Sequence, residues 1–433
     1  MPEQPHPPPG PTGALSGQRG RRRWLAAGLA GSAVALAPRA LVHAGQGSGM
    51  PTLRIAFIDP LSGPAADIGR HSLRSWQFVA EHLQTVVGVR FRIAGFDNRG
   101  SPQESVNALK VAIDQGFRCI VQGNGSGVTA ALIEAIGRHN PMRPDRAVML
   151  INYAAMDPAL TAEYCSPWHV RIDADTSMKM RAMIRHMAAQ PGLQRVYLLN
   201  QNYAHGQQFA RYFRQEAARE APGLQVVGDE LHPAFALQDF GLYAQRMAAS
   251  GAQAVVTGNW GADLQGLIRA MQAQSLSQPI WSYYAMQPGT PQLLARSGER
   301  LPVYVVATGA TVLPEPAAGI ARAFRQQHGE DLVVHASIDG VRALAQAVRQ
   351  SGSVEPGRLL AALAGMRFDG FNGTALLRAQ DRQLLTRVCV SRWARMDAGD
   401  LPGAEATGFG FVPVQWFEPE QIAPAVGCVP GRS

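Results

Sequence analysis

The sequence predicts an α/β chain of two doubly wound, Rossmann-like lobes joined by several crossover strands, with a cleft between them. Three observations carry this expectation. From residue 50 onward, short β-branched or apolar runs alternate with helical patterns, as in parallel sheets covered by helices on both faces. The alternation passes through two series of similar order. A chain of 433 residues also exceeds what one ordinary core accommodates.

The first series has strand candidates LRIAFI (53–58), VRFRIAGF (89–96), FRCIVQ (117–122) and AVMLIN (147–152). The second has RVYLLN (195–200), LQVVGDE (224–230), AQAVVTG (252–258) and PIWSYY (279–284). Helices between them follow from spacing: Val128, Ala131, Leu132, Ala135 and Ile136 fall on one face, as do Leu264, Leu267, Ile268 and Met271. A third, helix-rich region at 308–378 finds its natural place against the first sheet. One lobe is therefore expected from 45–171 with 308–378, and the other from 172–307 with 379–433.

Residues 1–44 read as an export signal. Arg21, Arg22 and Arg23 precede Trp24 and Leu25, an apolar run follows to Ala37, and small residues close it at VHAG, 42–45. The paired arginines suit a twin-arginine address, with cleavage after Ala44. About 13 apolar residues are too few to span a bilayer, so a soluble, periplasmic protein is expected. Cys165 and Cys428 lie in Pro-flanked segments and are the expected disulfide, whereas Cys119 and Cys389 lie in strand-like runs as core thiols.

The formal charge is +8, but five Arg against one Glu fall within 1–44, which leaves 35 basic and 31 acidic residues. The basic residues are spread out, so a phosphate-tracking nucleic-acid surface is not expected. No CxxC or HExxH spacing occurs, so no built metal site is expected, and nothing implies a cofactor.

The two series repeat one local pattern: VQGNGSGVTAAL (121–132) and VTGNWGADLQGL (256–267) both run from strand through Gly-Asn and a Gly-containing turn into an amphipathic helix. Ligands of open α/β sheets bind beyond the strand carboxyl ends, where helix N-termini present unpaired N–H groups. Ser126 and Gly127 therefore suit a small anion, although Ser126 as a plain helix cap is the simpler alternative. The turn lacks the Gly-Lys-Ser/Thr of a P-loop, the spacing of a dinucleotide fingerprint, and the G-x-S-x-G of a hydrolase elbow. Asp263, at the start of the matching helix, is expected to face the cleft as a cation-holding acid or, alternatively, only to favour the helix dipole. Asn259 shares its loop, and Trp260, Tyr203, Tyr283 and Tyr284 lie on neighbouring strand-end loops as candidate walls.

Several stretches together resemble the type I periplasmic solute-binding proteins of the leucine/isoleucine/valine-binding branch. They are IAFIDPLSGP (55–64), FDNRGSPQES (96–105), GNGSGVTAAL (123–132), INYAAMDPALT (151–161), NQNYAHGQ (200–207), TGNWGADL (257–264) and LLRAQDRQ (376–383). The resemblance implies a receptor that passes a small solute to the membrane permease of an ABC transporter; a monomer without enzymatic activity is expected. The favoured solute is an amino acid of branched-chain or hydrophobic type. Aromatic acids, amides and urea-like solutes stay open, as does a sensor role. It implies that Ser126 and the backbone of Ala154 and Ala155 hold a ligand carboxylate, that Tyr203 and His205 belong to the second lobe's binding loop, and that Asp263 pairs with a ligand ammonium. Three departures stand out: Met156 replaces a hydroxyl-bearing Thr, Ile68 an aromatic residue, and Asp263 a Glu one methylene longer.

Overall fold

The computed structural model describes residues 50–396 and 403–428; the expected export signal lies outside them. The first series forms β1 (Thr52–Asp59), α1 (Ala66–Val87), β2 (Arg90–Asp97), α2 (Pro102–Asp114), β3 (Cys119–Gln122), α3 (Ser126–Met142), β4 (Met149–Asn152) and β5 (His169–Arg171). Its five strands are parallel, in the order β2-β1-β3-β4-β5.

The second series runs through α4 (Thr176–Ala188), β6 (Arg195–Gln201), α5 (Ala204–Glu220), β7 (Gln225–His232), α6 (Gly241–Ala249), β8 (Ala254–Val256), α7 (Gly261–Ala273), β9 (Ile280–Ser282), α8 (Thr290–Ala295) and β10 (Val303–Ala307). Its parallel strands follow the order β7-β6-β8-β9-β10, the same winding as the first sheet. The chain then adds α9 (Ala317–His328), α10 (Ala336–Ser351), α11 (Pro356–Leu363), β11 (Arg367–Gly370), β12 (Gly373–Leu377), β13 (Leu384–Leu385), β14 (Val388–Arg395), β15 (Phe409–Phe417) and α12 (Pro419–Ile422). Two features differ from a purely parallel expectation. Strands β14 and β15 extend the second sheet as an antiparallel edge, and β11 to β13 form a small antiparallel sheet. Such edges are common on doubly wound sheets, since one outer strand has no helix to return beneath.

Both faces of the central strands are buried, which is why they read as continuous apolar runs. On the first sheet Ile55, Phe57, Val121 and Ile151 pack on Trp76, Val341 and Leu344, while Ala56, Ile58, Ile120 and Leu150 pack on Leu109, Val128, Leu132 and Ile136. Helix α10 lies close to α1: a Cβ on Gly340 would come within 2.3 Å of the Trp76 ring. The first core extends to Leu384, beyond residue 378. On the second sheet Val196, Leu198 and Val256 pack on Met183, Phe209 and Phe213. Its other face sets Leu199, Val255 and Val305 against Leu264, Ile268 and Trp393.

The chain passes between the two sheets after β5, after β10 and after β13. Buried polar bonds stitch the three passages together. Thr308 Oγ1 donates to Asp173 Oδ1 at 3.2 Å, Gln383 Nε2 to the Asp173 carbonyl at 2.8 Å, and Thr386 Oγ1 to Asn372 Oδ1 at 2.9 Å. Among the described residues no helix is long and apolar enough to cross a membrane. Cys165 and Cys428 are joined by a disulfide, and Cys119 and Cys389 are buried thiols.

Candidate functional site

The two sheets point their strand ends at a cavity of about 150 Å³ lined by both lobes. On the first-lobe wall the Gly-rich turn between β3 and α3 sits at the carboxyl end of the sheet. Gly125 takes φ 102°, a conformation that favours glycine, and Ser126 opens α3 with its backbone N–H among those a helix start leaves unpaired. Ser126 Oγ accepts the Asp157 N–H at 3.4 Å. The turn is held from behind by Asp59, at the end of β1. Its carboxylate accepts from Asn124 N and Asn124 Nδ2, both at 3.0 Å, and from the Tyr153 hydroxyl. Burial pushes the Asp59 carboxyl up to about 6, against the hydrogen bonds from Tyr153 and Asn124 that pull it down. An acid closing the apolar run IAFID was the available signal for this role.

The opposite wall is aromatic. Tyr203, Trp260, Tyr283 and Tyr284 line the cavity with His205. Trp260 Nε1 donates to Tyr203 Oη at 2.7 Å, and Trp260 stands edge-on to Phe235 at 4.7 Å. His205 Nε2 lies 3.2 Å from the Gly258 carbonyl and 3.3 Å from Tyr284 Oη. Burial lowers His205 to about 4 and His335 to about 4, and lowers His71 as well, so these three lining imidazoles are neutral at pH 7.

Of the residues singled out from sequence, the structure brings Ser126, Ala154, Ala155, Tyr203, His205, Trp260 and Tyr283 to the cavity lining. Three lie elsewhere. Gly127 is exposed on the far side of the first turn of α3, with open space where a Cβ would sit. Asn259 is fully buried, with Oδ1 3.1 Å from His232 Nε2. Asp263 is buried behind the wall, where Oδ2 accepts Gln201 Nε2 at 2.7 Å and the Phe235 N–H at 2.8 Å. It ties two strand-end loops to α7 in place of reaching the cavity opposite Ser126. The backbone expectation for Ala154 and Ala155 also changes, because Asn152 Oδ1 accepts both N–H groups, at 3.2 and 2.8 Å. Asp263→Ala is expected to destabilise the protein by about 1–3 kcal/mol, by stranding two buried donors. Denaturant titration checks this, and a loss confined to ammonium-bearing ligands would restore the cleft-facing role.

Lys179, on α4, and Asp173, in the first passage between lobes, are among the lining residues that were not anticipated. They pair at 2.6 Å and are the formally charged side chains lining the cavity. A hint was present, since Lys110 and Lys179 are the chain's two lysines among 40 basic residues.

Residues 52–400 match the family model of the periplasmic binding proteins. The chain is 26% identical over 411 residues to the Leu/Ile/Val-binding protein homolog 4 of Brucella abortus strain 2308, covering 91% of this chain and 94% of that one. Among solved structures, it superposes with a TM-score of 0.77 and 23% identity on the leucine-, isoleucine-, valine-, threonine- and alanine-binding protein of Brucella ovis in its closed conformation, over 87% of this chain and 98% of that one. It also superposes, at 0.70 and 18% identity, on a solute-binding protein of an ABC transporter from Rhodopseudomonas palustris BisB5 in complex with 3,4-dihydroxybenzoic acid, over 85% of this chain and 97% of that one.

Proposed function

Because the chain belongs to the periplasmic binding protein family, we propose that it captures a small organic acid between its two lobes and hands it to the permease of an ABC-type importer. One observation carries the reading: a single cavity combines the α3 N-terminus and Ser126 on one lobe with the aromatic wall of the other. A helix start with its dipole and unpaired N–H groups favours a carboxylate. A space of about 150 Å³ accepts a body of roughly benzene size. The names of the Brucella relatives point to aliphatic amino acids and that of the Rhodopseudomonas structure to a hydroxybenzoic acid; both kinds of solute offer one carboxylate and a compact body.

The same geometry explains how binding becomes a signal. Neither wall encloses the solute alone, so contacts to both lobes exist in the closed state, and the solute shifts the lobes toward it by that difference in affinity. A micromolar dissociation constant corresponds to about 8 kcal/mol. A charge-assisted hydrogen bond of about 1.5–3 kcal/mol and burial of an apolar ring supply much of it. The protein works outside the inner membrane, where the Cys165–Cys428 disulfide persists.

Ser126→Ala is expected to weaken binding of carboxylate solutes by about 10- to 100-fold and to leave the matching primary amides nearly unchanged. Isothermal titration of the two series reads this directly. Equal losses in both series would remove Ser126 as the carboxylate's partner. A screen in which no small organic acid raises the melting midpoint of the wild-type protein would end the reading, since a ligand stabilises the state it binds.

A further inference from the structure

We propose that Lys179 is a second carboxylate-binding group, and that it makes this cavity select plain carboxylic acids over the α-amino acids of the same skeleton. The inference rests on the small-acid reading above. Lys179 lies in a helix whose neighbouring Met178, Met180 and Met183 are core residues, and it is itself 4% exposed. A buried ammonium without partners is costly, and its partners here are informative. One proton goes to Asp173 Oδ2 at 2.6 Å, and another points at Met156 Sδ at 3.0 Å. A thioether is a weak acceptor, so a carboxylate oxygen arriving beside it is a favourable exchange.

Position supports the same exchange. The segment after β4 touches both donors: Asp157 N–H meets Ser126 Oγ at 3.4 Å, and the adjacent Met156 meets the Lys179 ammonium. Ser126 and Lys179 thus flank one short stretch of the cavity wall.

The pair is not required to hold the passages together. Asp173 Oδ1 also accepts the Ala174 N–H at 2.8 Å and Thr308 Oγ1 at 3.2 Å, and Gln383 bonds its backbone independently. Ala174 and Thr308 occupy Oδ1, and Lys179 occupies Oδ2, of Asp173, the one carboxylate in the lining. Glu330, behind His71, is bonded to His71 and Arg74, and Asp263 is committed behind the wall. An α-ammonium would therefore meet no unpaired acid and would lie near Lys179, whereas an acid lacking the amino group meets two donors, with Asp173, already turned toward Lys179, as the one like charge in the lining.

The test is calorimetric binding of matched pairs to the wild-type protein and to Lys179→Met: 4-methylpentanoate with leucine, and 3-phenylpropanoate with phenylalanine. The expected result is that each plain acid binds the wild type at least 10-fold more tightly than its amino acid. Lys179→Met is expected to weaken the plain acids at least 10-fold and to erase the preference. The wild-type ratio stands alone should the variant fail to fold. Leucine or phenylalanine binding as tightly as its plain acid overturns the inference and leaves the small-acid reading intact. Failure of all four compounds to bind overturns the inference, and the small-acid reading falls with it only if the wider screen of organic acids also finds no ligand.

Discussion

Arg171→Met is expected to destabilise the protein by about 3–5 kcal/mol, the range for removing one partner of a buried charged network. Arg171 closes β5 and is fully buried. Its Nε donates to Gln383 Oε1 at 2.6 Å, its Nη1 to the carbonyls of Ala155 at 3.2 Å and Asp157 at 2.6 Å, and its Nη2 to Thr161 Oγ1. Asp175 lies 3.5 Å away, with an Oδ2 that has no other partner. Methionine fills much of the volume but leaves the Gln383 amide oxygen, the Thr161 hydroxyl and Asp175 Oδ2 without their donor in a dry interior, and reduces the Ala155 and Asp157 carbonyls to one donor each, Asn152 Nδ2 and the Leu160 N–H. Arg171→Lys is not expected to rescue, because one ammonium cannot reproduce five donors in a fixed fork. The readout is the free energy of unfolding from denaturant titration; a loss below about 1 kcal/mol would mean that the guanidinium behaves as an exposed ion pair. Gln383 links Arg171 to Asp173, so the same substitution is also expected to weaken the cooperativity of closure, seen as a smaller ligand-induced change in scattering radius.

The parallel strands and the repeat were legible because each central strand is covered on both faces, which forces a continuous apolar run such as RIAFI or VYLLN. The Gly-rich turn was legible for a related reason: the helical period starts at Ser126, directly after residues that can take unusual backbone angles. The antiparallel additions were harder to see. Val414 and Gln415 of β15 are exposed, and its partner β14 ends well before it in the sequence. Local pattern alone does not specify which strand such a segment joins.

The differences between expectation and structure at the cavity share one cause. Trp260 and Asp263 are separated by one turn at the start of α7, so placing their loop at the cleft did not determine which of them reaches it. Trp260 does; Asp263 turns back to bind Gln201 and the Phe235 backbone. Ala154 and Ala155 line the cavity, yet the nearby Asn152 takes their N–H groups first, the local competition that Asn side chains offer backbone partners. Lys179 and Asp173 belong to RIDADTSMKMRAMIRHM, which reads as a connector followed by a core helix. Only the meeting of three passages reveals that one end of that helix opens on the cavity.

Cys428→Ser is expected to cost about 3–5 kcal/mol of stability, by freeing a long loop in the unfolded chain. The bridge spans 263 residues and reaches from the second lobe back to the first. After β15 and α12, whose Ile422 belongs to the second core, the chain runs past Arg378, whose Nη1 donates to the Pro424 carbonyl at 2.7 Å. It then crosses Ala162, against which a Cβ on Gly427 would come within 2.7 Å, to reach Cys165. Most of the stabilisation acts on the unfolded ensemble, so it does not depend on how firmly the tail packs in the folded state. Cys165→Ser is therefore expected to match Cys428→Ser, and the double variant to add nothing further. Reductant is expected to reproduce the loss in the wild type and leave both variants unmoved, because Cys119 and Cys389 are buried thiols. A change below about 1 kcal/mol would mean that the chain-entropy account fails here, as it does for some engineered bridges. Neither cysteine lines the cavity, so ligand affinity measured well below the melting midpoint is expected to stay within about twofold of wild type, as for a site distant from the change.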